Sequence, residues 1–281
     1  MWEFLSHALE TTLEITVIIF ILMVTIDFLD VWFKGYLKRY IHSRPVRQWT
    51  VSTILGALPG CAGAYANVTM YMHGFLSLGA LTAGMIATTG DEAFVMLAEF
   101  PVWAVGLTAA LFLLGMLAGA YMDKLLPVLG VKQCPDCTMH TIHEQDRQHD
   151  WRHYFRVHIW KHILLGHVAK IALWTFISVL FIDWGMARFS LQSFMEQHPA
   201  LIIILAVLVG LLPISGPHLV FVTLFAGGLI PFSILWINSI VQDGHAMLPM
   251  LSFSIKDVLF IKLYKIILAL LTGGVLYLIG L

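Results

Sequence analysis

Apolar residues run through this chain in stretches longer than a soluble helix needs, and the interruptions in those stretches divide it into elements. Residues 13–32 form one such run, about the ~20 residues that a helix needs to cross a bilayer. From 50 to 121 the apolar pattern resumes. It is broken at Pro59-Gly60-Cys61-Ala62-Gly63, at His73-Gly74 and at Thr88-Thr89-Gly90-Asp91-Glu92. Residues 123–161 are polar and rich in histidine, and read as the one sizeable extramembrane segment. A second apolar half, 163–281, is broken in the same manner at 213–217, 227–231 and 242–245. Gly and Pro end helices where they free backbone groups that hydrocarbon cannot satisfy, so breaks of this kind belong next to protein or a cavity.

The breaks fall in the same order and at nearly the same spacing in both halves. At an offset of 154, Gly56, Leu58, Pro59, Val68, Thr69 and Gly74 match Gly210, Leu212, Pro213, Val222, Thr223 and Gly228. After a slip of one residue, Glu92 faces His245 and Ala93 faces Ala246. This pattern predicts an internal repeat. The expected organisation is a first membrane repeat over 1–126, a polar Cys/His-rich cytoplasmic linker over 127–160 and a second membrane repeat over 161–281. Each repeat would supply about five membrane segments.

Charge sets the orientation. Lys34, Lys38, Arg39, Arg44 and Arg47 lie in a stretch without a single acid, directly after the first apolar run, which places that stretch in the cytoplasm. Arg152, Arg156 and Lys161 precede the first run of the second half, which suggests travel from inside to outside and so two inverted halves with five crossings each; four crossings per half would make them parallel. No basic start or small-residue cleavage site precedes residue 13, so the first run is read as a retained helix. Overall the chain has 281 residues, 12% of them charged, against the roughly 25% of a soluble domain. Its mean hydropathy is +0.85. A net charge of −1 gives no pull toward nucleic acid. The fold class is therefore an all-α integral membrane protein, multi-pass in the inner (plasma) membrane, with broken helices at the interface of two inverted repeats. Its partners would be the lipid bilayer and a metal ion, and a homo-oligomer is compatible with the pattern.

Paired breaks are where a transporter of this kind holds its solute. Asp91 and Glu92 at one break face Asn238, Gln242, Asp243 and His245 at the other. Charged groups at mid-membrane cost at least about 2.5–3.5 kcal/mol, so their presence implies work. Carboxylate and amide oxygens with one imidazole suit a divalent cation of the Mn, Zn or Fe class. Cys61, Asn67, His73, Ser215, His218 and Thr223 stand in second rank. In the linker, Cys134, Cys137, His140 and His143 follow one another at a spacing of three, with thiolate and imidazole as zinc ligands. They predict a capture or sensing site that can hold zinc, separate from the transport site. No further cofactor is expected. No Gly-x₄-Gly-Lys-Ser/Thr nucleotide loop appears, and no nucleophile with a nearby base suggests an enzyme. An arsenical or organic-solute exporter, in which Cys61 gains importance, and a membrane-embedded metal-dependent enzyme are the alternatives.

Leu212-Pro213-Ile214-Ser215-Gly216-Pro217-His218, Phe221-Val222-Thr223-Leu224-Phe225 and Asn238-Ser239-Ile240-Val241-Gln242-Asp243-Gly244-His245 resemble motifs of the ten-helix heavy-metal exporters. That family is also labelled arsenic-efflux-like or manganese transporter. Leu58-Pro59-Gly60-Cys61 and Gly90-Asp91-Glu92-Ala93 resemble its first-half motif. The resemblance implies ten membrane segments and export of a metal, and leaves the particular solute open.

Overall fold

The computed structural model describes residues 2–32, 36–90, 92–130, 201–214 and 216–281, with scattered positions between 159 and 180. Among the described residues the protein is all-helical, without strands. The first half contains α1 (Trp2–Trp32), α2 (Tyr36–His42), α3 (Pro45–Ala57), α4 (Ala62–Met72), α5 (Leu78–Ala87), α6 (Glu92–Glu99) and α7 (Pro101–Val128). The second contains α8 (Ile202–Gly210), α9 (Gly216–Ala226), α10 (Phe232–Val241), a 3₁₀ turn (Gly244–Ala246), α11 (Met247–Leu251) and α12 (Ile255–Leu278). Two of these helices, Pro101–Val128 and Ile255–Leu278, are long and apolar enough to cross a membrane. Helix α1 starts well before the apolar run at residue 13, because Glu10 and Glu14 are good helix formers that sit exposed.

The two halves keep step through the described elements. Helices α4 and α9 are both 11 residues long, and α5 and α10 are both 10. Their starts, and those of α7 and α12, differ by 154 throughout (62 to 216, 78 to 232, 101 to 255). Helices α4 and α9 end in the same hydrogen-bonded turn. Phe75 N donates to Met70 O at 2.9 Å, and Leu229 N donates to Leu224 O at 2.9 Å. Beyond α5 and α10 the chain turns through Gly90 (φ 58°) and Gly244 (φ 52°), a left-handed conformation that glycine adopts without steric cost. These glycines hold the offset at 154, so the one-residue slip expected from sequence does not occur. Glu92 corresponds to Ala246, not to His245, and Asp243 corresponds to Thr89.

Packing repeats as well. Helix α5 lies against α3 and α7, as α10 lies against α8 and α12. The halves meet where α5 touches α10 and α12, where α6 touches α9 and where α4 touches α11. One amide serves each half from a different position. In the first, Asn67 Nδ2 on α4 donates to Ser52 O at 2.9 Å. In the second, Asn238 Nδ2 on α10 donates to Ala206 O, the counterpart carbonyl, at 3.0 Å. The position matching Asn238 is Gly84. A Cβ there would lie 2.3 Å from Asn67 Nδ2 and 2.4 Å from Ser52 Oγ. The missing side chain lets α3 and α5 approach closely, since a Cβ on Gly56 would lie 2.1 Å from Gly84 O.

The polar segment read from residue 123 begins too early. Asp123 belongs to α7, which continues to Val128. Its Oδ2 accepts from Trp49 Nε1 and Ser77 Oγ, both at 2.7 Å, and its Oδ1 accepts from Gly79 N at 3.0 Å. One carboxylate thus joins α3, α7 and the start of α5. Cys134, Cys137, His140 and His143 lie outside the described residues, as do Asp91 and Ser215.

The glycine contact between α3 and α5 gives a test of this packing. Gly56→Ala should destabilise the detergent-purified protein by roughly 3 kcal/mol, the upper end of overpacking costs, because the obstructing atoms are backbone. Gly106→Ala on α7, where a Cβ meets nothing within 4 Å, should melt within a degree or two of wild type. Equal melting temperatures for the two variants would mean that the helices are not this close.

Candidate functional site

Helices α5, α8 and α10 end close together, and the last four carbonyls of any helix lack an intrahelical donor. Two lysines from α12 fill that need. Lys262 Nζ donates to Gly210 O at 3.1 Å and to Val241 O at 3.3 Å. Lys265 Nζ donates to Met85 O at 3.0 Å and to Gln242 O at 2.9 Å. Asp243 lies between the two ammonium groups, with Oδ2 2.6 Å from Lys262 Nζ and Oδ1 2.5 Å from Lys265 Nζ. All three residues are buried: Asp243 is 2% exposed, Lys262 7% and Lys265 0%. An ammonium has three donors; Lys265 Nζ has three oxygen acceptors, whereas Lys262 Nζ has two carbonyl acceptors and meets Asp243 Oδ2 as an ion pair outside hydrogen-bond geometry.

Gln242 shows where the halves join. Its Nε2 donates to Thr88 O at 3.3 Å, and the two residues, 154 apart, are each other's counterparts. Both directly follow a 10-residue helix, so α5 and α10 meet at their C-terminal ends. His218, fully buried on α9, faces the Asn238 side chain and the Leu212 backbone, with Lys262 and Asp243 as its charged neighbours. The junction therefore gathers His218, Asn238, Gln242 and Asp243 from the sequence-predicted set, together with Thr88.

Other members of that set have different surroundings. Glu92 is buried in the first turn of α6. His73 is buried at the end of α4, where its Nδ1 lies 2.8 Å from Thr69 O. Cys61 is half-buried at the start of α4, and His245 is half-buried in the 3₁₀ turn. Thr223 is exposed and bonds its own helix through Val220 O at 3.0 Å, which takes it out of the site. Among the described residues no three His, Cys, Asp or Glu side chains come together as a metal cage. The physical reason at Asp243 is plain: both of its oxygens are already engaged by lysine.

Lys262 and Lys265 are the residues of this junction that sequence reasoning missed. Their signal was present, since two cations three residues apart sit in the apolar run of α12, where charge is costly. Their counterparts in α7 are Thr108 and Leu111, neither of them charged. A cavity of about 560 Å³ opens there, lined by Pro59, Thr89, Met96, Ala104, Thr108 and Phe112 among others. Thr89 and Thr108 are the counterparts of Asp243 and Lys262. One half thus closes this position with an ion pair, and the other carries two threonines there, Thr108 bonding Ala104 O of its own helix, beside a mainly apolar cavity.

A family described as "putative, 10TM heavy-metal exporter" matches residues 5–176 and 167–280. The chain belongs to this family, and is accordingly a multi-pass membrane protein of a heavy-metal transporter class. Neither the curated proteins nor the solved structures contain a match.

Removing one partner from a buried ion pair costs about 3–5 kcal/mol, whereas replacing the whole set by apolar residues is often neutral. Asp243→Asn, which strands two ammonium groups, should therefore lower the melting temperature by roughly 10 °C. Asp243→Leu combined with Lys262→Met and Lys265→Met should recover most of that loss. If Asp243→Asn melts with wild type, the triad does not hold these helices together.

Proposed function

We propose that the chain is a secondary-active exporter that carries a divalent metal cation of the Mn, Zn or Fe class across the inner membrane, and that it does so without chemical change. Two inverted repeats, 1–126 and 161–281, would be joined by the cytoplasmic linker 127–160, with the solute passing the junction of α5 and α10. The contact between Gln242 and its own counterpart Thr88 carries this reading. A contact between equivalent residues lies on the axis that relates the repeats, and here that axis runs through the buried polar cluster. A 10-residue helix is about 15 Å long, half of the ~30 Å hydrocarbon core. Two such helices meeting at their C-termini support a junction at mid-membrane between inverted halves.

Substrate class follows from the donors. The Asp243 carboxylate offers hard oxygens, which suit divalent cations of this class better than soft ions. The lysines occupy those oxygens, so the cation would reach Asp243 when an ammonium moves aside. With no nucleotide-binding loop, the energy would come from an ion gradient. Export of an arsenical is the second reading, for which Cys61, half-buried at the start of α4, would supply a thiolate.

The test is flux in proteoliposomes loaded separately with Mn²⁺, Zn²⁺ and arsenite. Saturable Mn²⁺ or Zn²⁺ flux is expected. At matched amounts of folded protein it should fall at least tenfold in Gln242→Ala and Glu92→Gln, and stay at the wild-type rate in Glu10→Gln, an exposed change on α1. Arsenite flux alone would select the second reading. No flux of any of the three under an imposed ion gradient would contradict export.

A further inference from the structure

The oxygens around Lys262 and Lys265 have the composition of a cation site. Each ammonium is surrounded by two carbonyls from helix ends and one carboxylate oxygen. In transporters, the C-terminal ends of half-length helices coordinate ions in this way. Carbonyl rings likewise replace the water shell of K⁺ in selective pores. The carbonyl distances here, 2.9 to 3.3 Å, exceed the ~2.3–2.6 Å of Ca²⁺–oxygen bonds. As they stand, the cages fit an ammonium-sized monovalent cation.

The other half supplies an internal comparison. Where the acid is absent, at Thr89, the amines are absent too, at Thr108 and Leu111. Helices α4 and α9, and α5 and α10, keep the same lengths and register, while α7 and α12 keep the register and differ in length, 28 against 24 residues. The lysines thus accompany Asp243, and the register of these helices is kept in the half that has neither.

We propose that these two cages are monovalent-cation sites filled by amines tethered to α12, and that a cage without its amine takes ammonium, methylammonium or K⁺ from solution. The proposal concerns what these oxygens bind, and does not depend on which solute the protein carries.

The experiment uses full-length Lys265→Ala and Lys262→Ala, purified in detergent. Their melting temperatures are read while ammonium, methylammonium, K⁺ or Li⁺ replaces N-methyl-D-glucamine at constant ionic strength. The expected result is a saturable rise of roughly 5 °C with ammonium or K⁺, a smaller rise with Li⁺, and no change in wild type. Lys265→Ala combined with Asp243→Asn removes one charge of each sign and should show no response. Absence of any cation response in both single variants would overturn the proposal. So would an equal response in wild type or in the double variant, since the cation would then act elsewhere. If neither single variant yields folded protein in any of these cations, the cages accept only the tethered amine, and the proposal is likewise wrong. Melting is read without flux, so this failure and failure of the exporter reading are separately visible.

Discussion

A carboxylate and two ammonium groups cannot be left unpaired away from water, and the rest of the structure is arranged around meeting that requirement. Isolated ions in a low-dielectric interior cost several kcal/mol each even after relaxation. Here Asp243 stands between Lys262 and Lys265, and the remaining ammonium protons go to helix-end carbonyls. Those carbonyls belong to α5, α8 and α10, and the lysines belong to α12. A single polar cluster therefore fixes where three helices end against the length of a fourth. It also holds the first half to the second, because Met85 on α5 and Thr88 just after it accept from donors of the other half.

The two halves share a backbone plan and differ in the chemistry placed on it. The second half closes its polar position with an acid and two amines. In the first, the equivalent positions carry threonines and a leucine beside an open cavity. Asn67 and Asn238 show the same relation at lower stakes, since each serves an equivalent carbonyl from a different helix. Helix length and turn position persist because they are set by glycine, proline and hydrocarbon thickness. Side-chain chemistry is free to diverge wherever the local set of donors and acceptors still balances.

Much of this plan was legible in the residues. The breaks at Pro59–Gly63, His73-Gly74 and Gly90–Glu92, and their partners in the second half, each lie at or run into a helix boundary, with Ala62, Gly63, Glu92, Gly216 and Pro217 already inside the helices that follow. They could be read because glycine and proline act locally. The offset of 154 was legible for the same reason. The slip placed after it was not, because pairing Glu92 with His245 matched polar types, whereas the backbone matches Gly90 with Gly244. The candidate site was legible in part. Gln242, Asp243, Asn238 and His218 do come together, but Asp243 holds lysines where a metal cage was expected. Sequence gives the residue type at a helix end without saying which distant side chain reaches it, so Lys262 and Lys265 passed unnoticed on a helix read as apolar. Thr223 matched its counterpart Thr69 in type, yet it is exposed, since equal position does not ensure equal burial.

The central claim is that the halves meet through equivalent residues, at Thr88 and Gln242. It is tested most directly with cysteines at 88 and 242 in a chain whose own three cysteines are replaced by serine, with a protease site inserted in the linker 127–160. A short bifunctional thiol reagent is applied in membranes, and the linker is then cut. This account predicts that the two halves remain covalently joined after cutting, and separate when cysteine 88 is paired with one at exposed Leu278 on α12 instead. Separation of the halves in the 88/242 pair, with the thiols shown to have reacted, would contradict it.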